Sequence, residues 1–306
     1  MHILIAIDGS ASGFEAARQA GGLLDAEKDE VTLFYSAPRI HVDSDSPTDP
    51  AVLAKGSEAL AAAVFDEAKK YLPPALATRA RTILGNKDPR HAIVAAADQA
   101  KADMIALGAR GLSPIMSLLL GSVSRSVVNT SRLPVFVARK RKDSVESDEL
   151  RVLIAYDGSR LGQVILDQVR ALSWPPSTKG RTIAVVPGMF PGEIPKWLKD
   201  RARSPEIEEM TQVWVEQHDA ELRKMREQLT QYCKTLPSPF QEDAVVVEGH
   251  PAERILEEIK REKIDLVVMG TENRSHFGKL LMGSTSDAVL QHADCSVLLA
   301  REQPAP

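Results

Sequence analysis

The tripeptide Asp8-Gly9-Ser10 recurs as Asp157-Gly158-Ser159, 149 residues further on. Each copy follows a short apolar run, Ile3-Leu4-Ile5-Ala6-Ile7 or Val152-Leu153-Ile154-Ala155-Tyr156. Downstream the spacing becomes 162: Pro89 pairs with Pro251, Asp103 with Asp265, Gly108 with Gly270, Gly121-Ser122 with Gly283-Ser284, and Ala138-Arg139 with Ala300-Arg301. One register held from Pro89 to Arg139 is not chance. The difference of 13 between the offsets puts a net insertion in the second copy, before Pro251. A solenoid unit spans roughly 20–50 residues, so these copies are domain-sized. The expected division is a first domain at 1–140, an exposed, almost wholly polar linker at 141–150, and a second domain at 151–306 with an insertion at 188–235.

Each copy alternates strand and helix. In the first, strand candidates are 3–7, 31–35, 78–84, 104–107 and 135–138, with helices over 12–25, 51–72, 88–101 and 122–131 and a proline-rich loop at 38–50. In the second, strands are expected near 152–156, 182–186, 243–247, 265–269 and 296–300. Short, continuously apolar strands suit a parallel sheet covered on both faces. The alternation implies an α/β fold with one five-stranded, doubly wound parallel sheet per copy. After strand two of the second copy comes a proline-punctuated loop with Trp197, then a helix over 206–233. Its residues Ile207, Met210, Trp214, Leu222, Met225, Leu229 and Tyr232 form a stripe at helical spacing, expected to face the core or, alternatively, a partner.

Gly108-Ala109-Arg110-Gly111 follows strand four of the first copy, and Gly121-Ser122 opens the next helix. Ligands of open parallel sheets bind at the carboxyl ends of strands. Glycines admit close backbone approach and positive φ. The amides of Gly121, Ser122 and Val123 are expected free at a helix N-terminus, where the dipole favours an anion. Ser122 and Ser124 carry hydroxyl donors, and Arg110 carries countercharge. Asp8, at the same sheet edge, could accept from a ribose hydroxyl or assist a cation.

The spacing Gly-x2-Gly-x9-Gly-Ser, with the Asp8-Gly9-Ser10 start and the closing Leu133-Pro134-Val135-Phe136-Val137, resembles the universal stress proteins, here in tandem. That resemblance covers nearly the whole chain apart from the linker and the insertion. It implies a flavodoxin-like (adenine nucleotide alpha hydrolase-like) fold in each domain and an ATP-binding, stress-response regulatory protein. By the same resemblance Asp8, Gly108, Arg110, Gly111, Gly121, Ser122, Val123 and Ser124 line the ATP site, with or without Mg2+. Ser36, ending strand two, falls where the family meets adenine through backbone groups.

The second copy departs from the pattern. It reads Gly270-Thr271-Glu272-Asn273, then Gly283-Ser284-Thr285-Ser286. Glu272 stands where the first copy has Arg110, and a carboxylate repels phosphate by about 1 kcal/mol or more. Nucleotide is therefore expected mainly in the first domain. A second site would use Asp157, Gly270, Asn273, Gly283, Ser284, Thr285 and Ser286; the alternative is a retained fold with an altered or empty site.

Composition narrows the classes. Charged residues make up 26% with a net of −4, so nucleic acid and anionic membranes lack an electrostatic case. No apolar run approaches the roughly 20 residues of a membrane helix. The first residues carry no leader pattern, and Cys233 and Cys295 form no CxxC, so a cytoplasmic setting is expected. Neither a dinucleotide fingerprint nor a Walker loop occurs. The seven histidines are scattered, and no metal ligands are assigned. Two other readings stay open: a nucleotide-dependent enzyme with weak ATP hydrolysis, and a ligand-free adaptor. The fifth strands, 134–138 and 296–300, are candidate sheet edges. Relatives pair through this strand, so the copies could form an intramolecular pseudo-dimer, and the long helix offers a route to a homodimer.

Overall fold

A computed structural model describes residues 1–37, 50–111, 120–140, 149–188, 205–271, 274–276 and 279–302. The first copy runs β1 (His2–Ile7), α1 (Ala11–Gly21), β2 (Glu30–Ser36), α2 (Pro50–Lys69), α3 (Pro74–Arg79), β3 (Arg81–Gly85), α4 (Pro89–Ala100), β4 (Met104–Gly108), α5 (Ser122–Thr130) and β5 (Val135–Ala138). The second runs β6 (Arg151–Tyr156), α6 (Leu161–Ala171), β7 (Lys179–Val186), α7 (Pro205–Thr235), β8 (Ala244–Glu248), α8 (Pro251–Arg261), β9 (Leu266–Gly270), the short strands β10 (Arg274–His276) and β11 (Lys279–Leu281), α9 (Ser284–His292) and β12 (Ser296–Ala300). Residues 38–49 of the loop expected at 38–50, the linker core at 141–148 and the loop bearing Trp197 lie outside the described residues, and Pro50 opens α2.

The α/β, doubly wound class is the one found. Strand order is β3-β2-β1-β4-β5-β12-β9-β6-β7-β8, a single ten-stranded sheet. Within each half every pairing is parallel. β1, β4 and β12 are buried at every residue, as their unbroken apolar runs require. The outer strands β3 and β8 are largely exposed or half-buried. The chain leaves β1 for β2 on one side and later returns to β4 on the other, so the topological switch lies between β1 and β4, and between β6 and β9 in the second copy.

Each fifth strand is the edge of its own copy's five strands, and the two edges join. β5 and β12 pair antiparallel at the centre of the sheet, with Phe136 opposite Leu298. Those two residues are themselves 162 apart, so the repeat register pairs with itself there, the mark of an isologous contact. Two arginines repeat the relation. Arg301 donates to the carbonyls of Ser131 and Val128 at the end of α5. Arg139 donates to the Leu290 carbonyl near the end of α9. A cation at a helix C-terminus complements the dipole and satisfies orphan carbonyls. Burial lowers both guanidinium pKa values to about 10, which leaves them charged at neutral pH. Arg301→Met is expected to lower stability by about 1–3 kcal/mol, because buried carbonyls lose their donor. Equilibrium urea unfolding measures this, and an unchanged midpoint would deny Arg301 the capping role.

The long helix corrects one expectation in part. Leu222, Leu229 and Tyr232 are buried, but Met210 and Trp214 are 41% and 38% exposed, alongside exposed Val213 and Val215. The stripe faces the core only over its C-terminal half, where α7 lies on β7 and β8. Nor is α7 wholly extra: 44 residues separate β2 from β3 and 57 separate β7 from β8, thirteen more. Where the first copy's crossover carries α2 and α3, the described part of the second copy's crossover carries the long helix α7.

Candidate functional site

In the first copy the predicted residues converge at the carboxyl ends of β1 and β4. Asp8 follows β1 and is held by its own turn: Oδ1 accepts from Ser10 N at 3.0 Å and Ser10 Oγ at 2.5 Å. Ser10 Oγ in turn accepts from Gly13 N at 3.1 Å and caps α1. Gly9, at φ +81°, makes this turn possible. Asp8 Oδ2 points at Gly111, where a Cβ would lie only 2.5 Å away. A Cβ on Gly121 would lie 3.5 Å from Arg110 Cα. Asp8, Arg110, Gly111 and the start of α5 thus share one small area.

Unlike α1 and α4, which Ser10 and Asp88 cap, α5 has Gly121 at its N-cap and no side-chain cap among the described residues. Ser122 is exposed and Val123 half-buried at its first turn, beside half-buried Arg110. Uncapped amides, a helix dipole and an arginine together can receive an anion.

Three expectations need correction. The amide of Gly121 is not free; it donates to the Ala109 carbonyl at 2.8 Å. Ser124 is no phosphate donor here: its buried hydroxyl donates to the Gly108 carbonyl at 2.8 Å, tying α5 to β4. Gly108, Gly111 and Gly121 are not among the positive-φ residues, so they serve by closeness alone. At Gly108 a Cβ would meet Ser12 Oγ and the Ser12 backbone. Ser12 itself went unrecognised. Its Oγ accepts from Arg110 N at 3.4 Å, and the repeat hides it because its counterpart is Leu161. Ser36 sits one strand over from Asp8, with Oγ donating to the Lys87 carbonyl at 2.6 Å.

In the second copy Asp157, Gly270, Thr285 and Ser286 line one cavity of about 140 Å3. Ser286 Oγ donates to the Gly270 carbonyl at 3.2 Å, repeating the Ser124 staple. Gly283 precedes α9, again without a side-chain cap, and Ser284 is exposed. Asp157 is exposed where Asp8 is half-buried. Asn273 and Glu272 lie outside the described residues. His250 is exposed at the N-cap of α8. Tyr156 stacks on Tyr232 of α7, ring centroids 4.2 Å apart.

Cys233 and Cys295 are buried and unbridged, and burial raises both thiol pKa values, that of Cys295 to about 12. Packing suits them better than redox chemistry. Among the described residues no group of three or more His, Cys, Asp or Glu could hold a metal, and no helix is long and apolar enough to cross a membrane.

Known proteins resemble this one along its length. The profile of the universal stress protein family matches residues 1–139 and 198–301. A universal stress protein of Mycolicibacterium smegmatis is 25% identical over 302 residues, covering 98% of this chain and 96% of its own. One from Thermus aquaticus is 33% identical over 150 residues, 49% of this chain and 97% of its own. The crystal structure of a universal stress protein from Archaeoglobus fulgidus superposes with a TM-score of 0.63 at 21% identity, covering 98% of both chains, and shares the fold.

Proposed function

The chain belongs to the universal stress protein family, and from that premise we propose that it is an ATP-binding regulatory protein of the stress response, with nucleotide held mainly by the first copy. One observation carries this reading: the uncapped start of α5 stands beside Arg110 and within reach of the loop that meets Asp8 Oδ2. Phosphates would lie on the first-turn amides of α5, with Ser122 as hydroxyl donor and Arg110 as countercharge. Asp8 would accept from the ribose through Oδ2, since Ser10 already engages Oδ1. Gly108, Gly111 and Gly121 keep side chains out of the approach, Val123 and Ser124 shape the floor, and Ser36 borders the adenine end. An accompanying Mg2+ would be held by the phosphates, with Asp8 as the nearby carboxylate.

The domains proposed are 1–140 and 151–306, joined by 141–150, acting in the cytoplasm as one pseudo-two-fold unit through β5 and β12. Binding regulates only if ATP favours one of two states. Asp8 serves this reading as a fixed acceptor rather than a base.

Mass spectrometry of nucleotide released from gently purified protein, with ATP titration, tests the proposal. One nucleotide per chain is expected, with turnover far below the roughly 1 s⁻¹ at the slow end of typical enzymes. No binding at millimolar ATP would favour the adaptor reading. Sustained turnover in the enzymatic range would favour catalysis.

A further inference from the structure

The cavity of the second copy has changed its chemistry. The 149-residue register holds between β1–β2 and β6–β7, where His2 opposite Glu30 becomes Arg151 opposite Lys179. In that register Ser12 becomes Leu161, Ser36 becomes Val185 and Phe34 becomes Ile183. Leu161, Val185 and Ile183 all line the cavity, with Ile165, Ile255 and Met269. Two hydroxyl positions have turned aliphatic, and an aromatic side chain has become a smaller one.

The phosphate side has changed in the opposite sense. Asn273 stands in the sequence where the first copy has Gly111, a position at which a Cβ would fall 2.5 Å from Asp8 Oδ2. Glu272 reverses the charge of Arg110. At the rim, exposed Asp157 accepts from Ser159 N through Oδ1 at 2.9 Å. Its carboxylate retains capacity for a ligand donor.

An apolar cavity of roughly 150 Å3 takes up benzene, close to the 140 Å3 here. We propose that this cavity is a binding site for a small uncharged aromatic molecule, one ring in size and bearing a hydrogen-bond donor for Asp157, and that it does not take nucleoside triphosphates. The ring would lie among Leu161, Ile183 and Ile255, with its donor at the Asp157 rim. Apolar burial supplies the affinity, and the acidic rim rejects anions. This site is independent of nucleotide binding in the first copy.

Phenol is a suitable probe, added to the full chain carrying labelled isoleucine and methionine methyls. Saturable shifts at Ile165, Ile183, Ile255 and Met269 are expected at millimolar phenol or below, with benzoate, repelled by the Asp157 carboxylate, binding at least about tenfold more weakly. Ile183→Phe restores the first copy's residue and is expected to abolish the shifts while ATP affinity stays unchanged. The phenol–benzoate contrast is read on the unmodified chain, so the test stands even if that variant folds poorly. No saturable shift with phenol, equal binding of benzoate, or displacement of phenol by ATP would overturn the proposal. Failure of ATP to bind the first copy would leave these readouts untouched.

Discussion

Gly111→Val is expected to weaken ATP binding about 100-fold, roughly 2.8 kcal/mol, while stability falls by about 1–2 kcal/mol, the worth of the hydrogen bonds that Asp8 gives up. The two effects separate because of what a side chain would meet there. Gly111 is exposed and has no positive φ, so its backbone tolerates a β-branched residue. The nearest atom to a new Cβ is Asp8 Oδ2 at 2.5 Å, the far end of a side chain. Asp8 would swing away and give up its bonds from Ser10 N and Oγ, and the valine would occupy the space between the carboxylate and the start of α5. Binding would then lose both its ribose acceptor and its approach path. Gly108→Val is the informative contrast: there the obstacle includes the Ser12 backbone, 2.6 Å away, so folding stability carries the loss. ATP titration beside urea unfolding of both variants separates these cases. An unchanged ATP affinity in Gly111→Val would remove the loop from the site.

Much of this arrangement is legible in the sequence because it rests on backbone. Short apolar strands alternating with helical segments suit a parallel sheet covered on both faces, and the 162-residue register that relates the copies also relates Phe136 to Leu298, which the structure pairs. What stays hidden is how polar groups are already spent. Ser122 and Ser124 look alike in sequence, yet the half-turn of helix between them leaves the first exposed and points the second at the Gly108 carbonyl. Ser12 matters through contact with Gly108 and Arg110, residues almost a hundred positions away, which no local pattern reveals. Met210 and Trp214 keep the helical spacing of the α7 stripe yet are exposed, so periodicity alone overstates its buried length. The hairpin of β10 and β11 falls inside a span that motif spacing treats as a simple loop. It brings β11 against α5 of the other copy, a contact between repeats that comparison of one copy with the other does not predict.

Phe136→Ala should be among the most damaging single changes in the chain, costing about 3–5 kcal/mol. The ring is 1% exposed and belongs to a buried cluster that runs through both copies, from Ile3 and Leu33 to Val268 and Leu298. β5 and β12 match over only three residue pairs, Val135 with Leu299, Phe136 with Leu298 and Val137 with Val297. Beyond them a small polar set bridges the copies. Gln19 Nε2 donates to the Arg139 carbonyl, Ser296 Oγ donates to Gln19 Oε1, and Arg139 N donates to Ser296 Oγ. These bonds depend on the strands staying in register, and the register depends on the side chains that meet across the axis. Removing the ring leaves a cavity that neither the parallel neighbour β4 nor the antiparallel neighbour β12 can close, because each is itself fully buried. Phe136→Leu keeps most of the volume and should cost less than about 1.5 kcal/mol. Urea unfolding of the two variants measures the difference. A loss in Phe136→Ala no larger than in Phe136→Leu would mean that the copies are held together elsewhere, with the reciprocal Arg139 and Arg301 contacts the next to test.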